Sequence, residues 1–396
     1  MLFRSGIESL DGFDYGVFLR DSGIDTETYR KRVENDLPLG REYLTFQYTS
    51  ASAFVDEVRK YAENLVKHPL MLSVNSAANG AKSLVIADKL TYFCGEVDRD
   101  AEEREFATKP ILVFKLGDAL DRPQVSTASG QDWAYCMEHD LTGLVRTWVA
   151  QSYAYGHQLM APVKQWAYTK EKGTHWWETD PDDFTDLYQF IRANAALFDD
   201  HDAIADVGLV YSNANFRRYQ RQAAKVAVEL AHANVPFRLL LAGDDWLPNR
   251  ITAKDVADLK AIIVTEPLDL DAEQQTVLDA AADRVISLDR LPGMLAPQVT
   301  VTGADNVTVI PRATADGRYA IHLVNRNYDG ESDAMIAQTE FTVSLSTSLF
   351  DGEPNSATLH APGAEPVALA LTKSPDAIDL RIPTLDLWAI IEIVVP

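Results

Sequence analysis

The 396-residue chain has only two cysteines, Cys94 and Cys136, and they lie far apart in the sequence. So few cysteines exclude a disulfide framework, and no spacing of His, Cys, Asp or Glu indicates a metal site. No apolar run reaches the 18 residues of a transmembrane helix, so we expect no membrane partner. The N-terminus, MLFRSGIESLDGFDYG, lacks the apolar core of a signal peptide, which leaves the location open with the cytoplasm as the default.

Positive charge is also scarce, because 36 Lys and Arg residues face 59 Asp and Glu residues and give a net charge of -23. Nucleic acids and anionic membranes bind to basic patches, so neither is expected as a partner. The chain also has no GxGxxG motif and no Walker lysine, so we expect no nucleotide or other cofactor.

Hydrophobic residues make up 46% of the chain, enough for several cores, and their pattern changes along the sequence. Residues 41–67 have the spacing of an amphipathic helix. Short apolar runs then predict four strands separated by helices or loops, at 70–75, 87–96, 111–114 and 158–161. Four strand–helix units correspond to half of an eight-stranded parallel barrel.

The pattern after residue 200 predicts two further domains. Apolar strands alternate with helices over 206–288, as in an open parallel sheet. From residue 299 onward, polar and apolar residues alternate, as in an antiparallel sandwich. The fold class is therefore α/β, with a partial (β/α)8 barrel at 1–200, a flavodoxin-like domain at 201–296 and a C-terminal β-sandwich at 297–396.

In parallel barrels, the residues that perform chemistry follow the carboxyl ends of the strands. Asn75 and Glu96 end the first two predicted strands, and Asp118 closely follows the third. Glu96 and Asp118 are therefore the candidate catalytic carboxylates, and Asn75 is a candidate ligand for a sugar hydroxyl. The alternatives are a salt bridge or loop position for Glu96 and a cap of the next turn for Asp118.

Candidate substrate-binding residues lie in a predicted loop with residues 130–133 at its centre, at the end of the fourth predicted strand, and in a predicted loop at 172–177 beyond it. They are Asp132, Trp133, Trp166, His175 and Trp176. Carboxylates beside flat indole rings are typical of a carbohydrate site, since the rings cover the apolar face of a sugar. Asp132 could instead cap a helix or turn, and Trp166 could belong to the core.

The order of the three predicted domains resembles that of the family 42 glycoside hydrolases, the β-galactosidases. Residues 144–156 are similar to the family pattern Arg-x-Trp-x-x-Gln-x-x-Ala-x-Gly, and the stretches 46–75, 309–312 and 321–325 look similar to other family segments. The resemblance implies a catalytic barrel that cleaves β-linked glycosides, a trimerisation-type domain and a sandwich. It is compatible with a homo-oligomer and implies a carbohydrate substrate.

This chain departs from the family at both catalytic positions. The family's general acid is a Glu after an Asn at the end of strand four, which on this alignment falls before Met1. Its nucleophile is a Glu at the end of strand seven, where this chain has only Asp118. We therefore expect a barrel without its N-terminal half.

Two functions stay open on the sequence. One is a glycoside hydrolase with an acid/base plus carboxylate mechanism, and the other is an inactive carbohydrate-binding or oligomerisation protein derived from such an enzyme. An amidotransferase-like activity of 206–288 is disfavoured, because this region has no nucleophilic cysteine.

Overall fold

A computed structural model of the chain describes residues 40–161, 164–265 and 267–396, together with Gly23 and a short hairpin of β1 (Ser9–Leu10) and β2 (Phe13–Asp14). Within this described part, no helix is both long and apolar enough to span a membrane.

The first half of the chain is built from helices, three short parallel strands and an antiparallel hairpin. Its helices are α1 (Gly40–Leu65), α2 (Ala81–Leu84), α3 (Pro110–Ala119), α4 (Gly130–Glu138), α5 (Thr142–Ala154) and α6 (Asp182–Ala193). Its strands are β3 (Phe93–Glu96), β4 (Gln124–Thr127), β5 (Gln158–Leu159), β6 (Lys164–Thr169) and β7 (Gly173–Glu178).

Strands β3, β4 and β5 lie side by side in this order and run parallel. Asn75 adds a parallel bridge to Cys94 on the outer side of β3. Four consecutive chain segments therefore present their carboxyl ends at one edge, which we call the strand-tip edge. This is the arrangement that the partial-barrel prediction requires, while the barrel itself stays a prediction.

The prediction of a strand at 111–114 is wrong, because these residues belong to helix α3. Residues 110–117 are all buried, and an apolar run buried on every side has no periodicity that separates a strand from a helix. Pro110 at the first turn favours the helix, where its missing N–H is not needed. The third parallel strand is β4, whose burial alternates along only four residues.

Four neighbouring predictions also change. The stretch around Asp132 and Trp133 is helix α4 and not a loop. Residues 172–177 belong to the antiparallel hairpin of β6 and β7, where a loop was expected. The run 70–75 contributes only a bridge at its end, and only the last four residues of 87–96 form a strand.

The middle of the chain forms a second parallel sheet, in the order β10-β9-β11-β12. Its strands are β9 (Val207–Ser212), β10 (Phe237–Ala242), β11 (Ala261–Ile263) and β12 (Val285–Ile286), after a short β8 (Asp202–Ala203). Its helices are α7 (Asn213–Arg217), α8 (Gln222–His232), α9 (Ala253–Val256) and α10 (Ala272–Ala280). The predicted parallel strands of this region are confirmed, and the flavodoxin-like character stays a prediction.

The last hundred residues form two antiparallel sheets, as the alternating pattern predicted. One has the order β13-β18-β22-β21 and the other β20-β19-β23-β15-β14-β8. Their strands in this region are β13 (Val299–Thr302), β14 (Val307–Ala313), β15 (Tyr319–Asn325), β18 (Gln338–Ser346), β19 (Ser356–His360), β20 (Val367–Leu369), β21 (Leu371–Lys373), β22 (Ala377–Leu385) and β23 (Trp388–Val394). A separate hairpin pairs β16 (Tyr328–Asp329) with β17 (Ala334–Met335).

The central strands β14, β15 and β23 of the six-stranded sheet are buried on both faces. Ile321 and Ile391 point into the sandwich core, whereas Ala320, Trp388 and Ile390 belong to the cluster formed by the first two thirds of the chain. Alternate residues of a strand point to opposite faces, so these strands contribute side chains to two hydrophobic cores. The sandwich is thereby fixed to the helices of the first half.

One carboxylate of the C-terminal region also caps helix α5 in the first half of the chain. Helix α5 begins after Leu141, which has no side chain that could cap it. The carboxylate of Asp333 instead accepts the N–H groups of Gly143 at 2.6 Å and Leu144 at 2.9 Å, and also the Tyr328 hydroxyl at 2.6 Å. A negative charge at a helix N-terminus also interacts favourably with the helix dipole.

We predict that Asp333→Ala lowers the free energy of unfolding by about 1–3 kcal/mol, because two helix N–H groups and a tyrosine hydroxyl lose their acceptor. Urea unfolding measures the loss. The matched control is Asp305→Ala at an exposed position of the same region, with an expected change within about 0.5 kcal/mol. Equal stability of the two variants would contradict the capping role.

Candidate active site

The strand-tip edge brings two of the predicted site residues together. Glu96 ends β3 directly opposite Thr127 of β4, and Asn75 bridges to Cys94, two residues before Glu96. Asn75 and Glu96 are both exposed. Gly95 has a structural role here, since a Cβ at this position would lie 2.6 Å from the backbone carbon of Ser76. The missing side chain of Gly95 therefore makes room for the neighbouring backbone and not for a substrate.

The chain stays extended beyond Glu96, because the Val97 N–H donates to the Thr127 carbonyl at 2.9 Å. Glu96 and Asp98 are exposed while the residues between and beside them are buried, so both carboxylates face the same side. Asp98 is a candidate that the sequence reasoning missed. The alternation of buried and exposed residues from 95 to 99 is the signal that could have found it.

The two carboxyl groups have opposite pKa shifts. Partial burial raises the pKa of Glu96. Burial would also raise the pKa of Asp98, but its ion pair with Lys109, at 2.7 Å, outweighs this effect and lowers the pKa. Glu96 therefore holds a proton more readily than an ordinary glutamate, while Asp98 stays ionised. Carboxyls with pKa values pushed apart are suited to the separate roles of acid and base.

Arg99 lies below this edge and is fully buried. Its guanidinium donates to Gln151 at 3.3 Å, to Ser126 at 3.2 Å and to Ser152 at 3.4 Å. Burial lowers the pKa of Arg99 to about 9, an effect that the charge of Asp132 opposes. The arginine thus connects β4 and helix α5 beneath the carboxylates.

Asp132 was predicted either to contact a sugar or to cap a helix or turn, and the structure shows the capping role. Its buried carboxylate accepts the Arg99 and Ala101 N–H groups, both at 2.9 Å, and the Ser129 hydroxyl at 2.7 Å. With Ser129 it forms a capping box at the start of α4. Both oxygens are occupied within the protein, so Asp132 positions the loop after β3.

Trp133, also predicted to bind substrate, is 1% exposed. Its indole N–H donates to the Thr127 hydroxyl at 3.0 Å, and its ring meets Trp148 edge-on at a centroid distance of 5.7 Å. The ring has no face open to a sugar. It belongs to the core beneath the strand-tip edge.

Trp166 lies on β6, against the beginning of helix α4. A Cβ on Gly130 would lie 2.2 Å from the Trp166 ring, so the ring packs directly on the glycine backbone. Gly130 follows the end of β4 by three residues. Trp166 is therefore next to the strand-tip edge.

His175 and Trp176 lie on β7 and face opposite sides of it. The His175 ring donates from Nδ1 to the Gly173 carbonyl at 2.9 Å, and its Nε2 accepts the indole N–H of Trp177 at 2.8 Å. Both nitrogens are engaged, which makes His175 a structural residue of the hairpin. Trp176 faces solvent and is 62% exposed.

Asp118 lies at the opposite end of the parallel strands, at the end of helix α3. It is 3.4 Å from His157 and 3.8 Å from both Lys115 and Arg312. Burial alone would raise the pKa of Asp118, but Arg312 and His157 outweigh this and lower it. The premise that Asp118 follows a strand is wrong, and Asp118 is not part of the strand-tip edge.

Two cavities reach Asp118, each of about 660 Å³, and both lie at this opposite end. One is lined by residues of β10 and of the segment after it, and the other by Arg122, His201 and Arg318. Among the described residues, no group of three or more His, Cys, Asp or Glu side chains could hold a metal ion.

No protein-family model matches the chain. Two curated relatives are similar in sequence, both named alpha-agarase: one from Thalassotalea agarivorans at 27% identity over 98% of this chain, and one from Alteromonas agarilytica at 25% over 99%. The chain spans 28% of the length of each relative. Among solved structures, alpha-L-fucosidase isoenzyme 2 from Paenibacillus thiaminolyticus aligns with a TM-score of 0.66 at 10% identity, over 99% of this chain and 76% of its own.

The likeness to the fucosidase concerns the fold alone, and it extends through nearly the whole chain. A family 42 β-galactosidase aligns with a TM-score of only 0.47, which is too low to support kinship. The specific family 42 resemblance therefore stays a prediction.

For Asp132, we predict that replacement by alanine lowers the free energy of unfolding by about 2–4 kcal/mol, because buried N–H groups lose their acceptor. Asp132→Asn keeps one acceptor oxygen and should lose less. Chemical denaturation measures both variants. If Asp132 served only to contact sugar, both would be as stable as the unmodified protein, and that outcome would refute its capping role.

Proposed function

We propose that this chain is part of an enzyme that hydrolyses glycosidic bonds of agar, and that the strand-tip edge forms part of its active site. The observation that carries the proposal is the sequence similarity to two alpha-agarases along almost the entire chain. Exposed carboxyl groups at the carboxyl ends of parallel strands, with Trp166 beside them, support it.

The name of the two relatives, alpha-agarase, suggests which type of glycosidic linkage is cleaved. The resemblance to family 42 implied a β-linked glycoside, whereas both relatives are named for α-specific cleavage of agar. We therefore propose an α-linked galactan as the substrate in place of the β-linked glycoside. The acid/base plus carboxylate mechanism applies to either linkage.

Glu96 is the proposed proton donor. Its raised pKa favours the protonated carboxyl, which can donate its proton to the glycosidic oxygen as the C–O bond breaks. Positive charge then develops on the sugar ring in an oxocarbenium-like transition state, which a carboxylate stabilises or attacks. Asp98 stays ionised beside Glu96 and supplies negative charge on the same side of the chain.

We predict that Glu96→Gln in the full-length protein lowers kcat on agarose by about 10²–10⁴-fold, because glutamine cannot transfer a proton. Reducing-sugar release measures the rate. The control Glu102→Gln removes an exposed carboxylate that follows Asp98 by four residues, and it should leave the rate unchanged. Equal rates in the unmodified protein and both variants would exclude Glu96 as the acid.

The pH profile gives an independent check. A general acid works only while protonated, so on the alkaline side activity should fall as the pH rises through the pKa of Glu96. The lowered pKa of Asp98, which has to stay ionised, sets the acidic limit. Since the pKa of Glu96 is raised, the alkaline decline should lie above the usual range of a glutamate. A decline at or below that range would contradict the assignment.

One observation favours the second function, a carbohydrate-binding protein without catalysis. The end of β4 reads Ser126-Thr127-Ala128-Ser129 and carries no carboxylate, although the resembling family has its nucleophile at the corresponding strand end. Binding of agarose by the full-length protein without any release of reducing sugar would support this function over hydrolysis.

A further inference from the structure

The hairpin of β6 and β7 carries an aromatic face. In its register, Trp166 is directly opposite Trp176, and Tyr168 is opposite Thr174. Residues opposite each other in an antiparallel pair share a face, as do alternate residues of a strand. Trp166, Tyr168 and Trp176 thus lie on one side of the hairpin, which we call the aromatic face.

The rings of this face differ in exposure. Trp176 is 62% exposed and Tyr168 is 36% exposed, while Trp166 is half-buried against Gly130. Leaving large aromatic groups in water is unfavourable, and neighbouring exposed rings commonly mark a binding surface. Trp166 connects this face to Gly130, three residues after the end of β4 at the strand-tip edge.

Contacts with the rest of the protein hold the hairpin in place. Ala167 is fully buried, and β6 packs along helix α4. Lys172 forms an ion pair with Glu138 of that helix at 3.0 Å, and its ammonium lies 5.2 Å from the ring of Trp177. The aromatic face is therefore presented by an anchored hairpin, which reduces the entropy lost when a ligand binds.

Polar groups are interspersed among the rings. Lys164 is opposite Glu178 at the open end of the hairpin, and its ammonium lies 6.0 Å from the Trp176 ring. The two charges have opposite sign, so this face has no net preference for a charged ligand. Flat rings beside hydrogen-bond donors and acceptors suit a neutral sugar chain, whose units have an apolar face and a rim of hydroxyls.

We propose that the aromatic face binds the agar chain outside the bond that is cleaved, and thereby makes the enzyme prefer the polymer over short fragments. This inference rests on the proposed function and deepens it. Trp176 and Tyr168 would stack on successive sugar rings, and Trp166 would connect them to the strand-tip edge. Each aromatic ring would cover the apolar C–H groups of one sugar, and the contact is non-covalent.

The test compares full-length Trp176→Ala with the unmodified protein. Affinity electrophoresis through gels containing soluble agarose measures binding to the polymer, and kcat/KM is measured on agarose and on a short agaro-oligosaccharide. Loss of one stacked ring should weaken polymer binding by roughly tenfold. The kcat/KM on agarose should fall in parallel, while kcat/KM on the oligosaccharide stays within about twofold.

Two variants serve as controls. Trp176→Phe keeps a flat ring and should retain most of the binding. Tyr61→Ala removes a ring that is 67% exposed on helix α1, away from the hairpin, and should bind agarose as the unmodified protein does.

The outcomes separate this inference from the proposed function. If the unmodified protein cleaves agarose and Trp176→Ala binds the polymer equally well, the aromatic face is not a sugar surface, although the function stands. A change in molecular mass upon substitution, with unchanged polymer binding, would identify a contact between copies and overturn the inference. If the unmodified protein neither binds nor cleaves agarose, the proposed function itself fails.

Discussion

The buried carboxylate of Asp132 is the interaction on which the arrangement of the candidate site depends. Burial of a charge is unfavourable unless hydrogen bonds satisfy it, and here N–H and hydroxyl donors from Arg99, Ala101 and Ser129 do so. These donors come from the loop after β3 and from the start of α4. The carboxylate therefore joins the loop that carries Asp98 to the helix whose first residue, Gly130, supports Trp166.

A second buried group joins the sandwich to the parallel strands at their other end. Arg312 on β14 donates to the Tyr155 carbonyl at 2.7 Å and to the His201 carbonyl at 3.1 Å. Gly156 permits this approach, since its φ of +81° and the closeness of the guanidinium leave no room for a Cβ. Asp118 lies 3.8 Å from Arg312 at this junction. The charge of Arg312 therefore explains why the pKa of Asp118 is lowered although Asp118 is not part of the strand-tip edge.

The candidate site was only partly predictable from sequence. Glu96 and Asn75 were identified by position at strand ends, and the structure places them on one edge. Asp118 was misplaced because a helix buried on all sides has the same composition as a buried strand. Trp133 and Asp132 have residue types that suit a sugar site, but whether an indole or carboxylate is enclosed depends on packing that local sequence does not encode. Trp176 could be recognised as exposed only once the register of the hairpin was known.

The sequence by itself determined the succession of parallel and antiparallel regions, because a period of two or of three to four residues follows from which face of an element meets the core. It also determined the acidic charge that disfavours nucleic acid. The tertiary structure decided which carboxylates are bound by other groups of the protein and which remain free to contact a substrate. Asp132 and Asp118 are engaged by donors distant in sequence, Arg99 and Arg312, whereas Glu96 projects from a strand end without such a partner among the described hydrogen bonds and ion pairs. Hydrogen bonds and ion pairs between distant residues form only when the chain has folded, so residue type alone could not separate a structural carboxylate from a candidate acid.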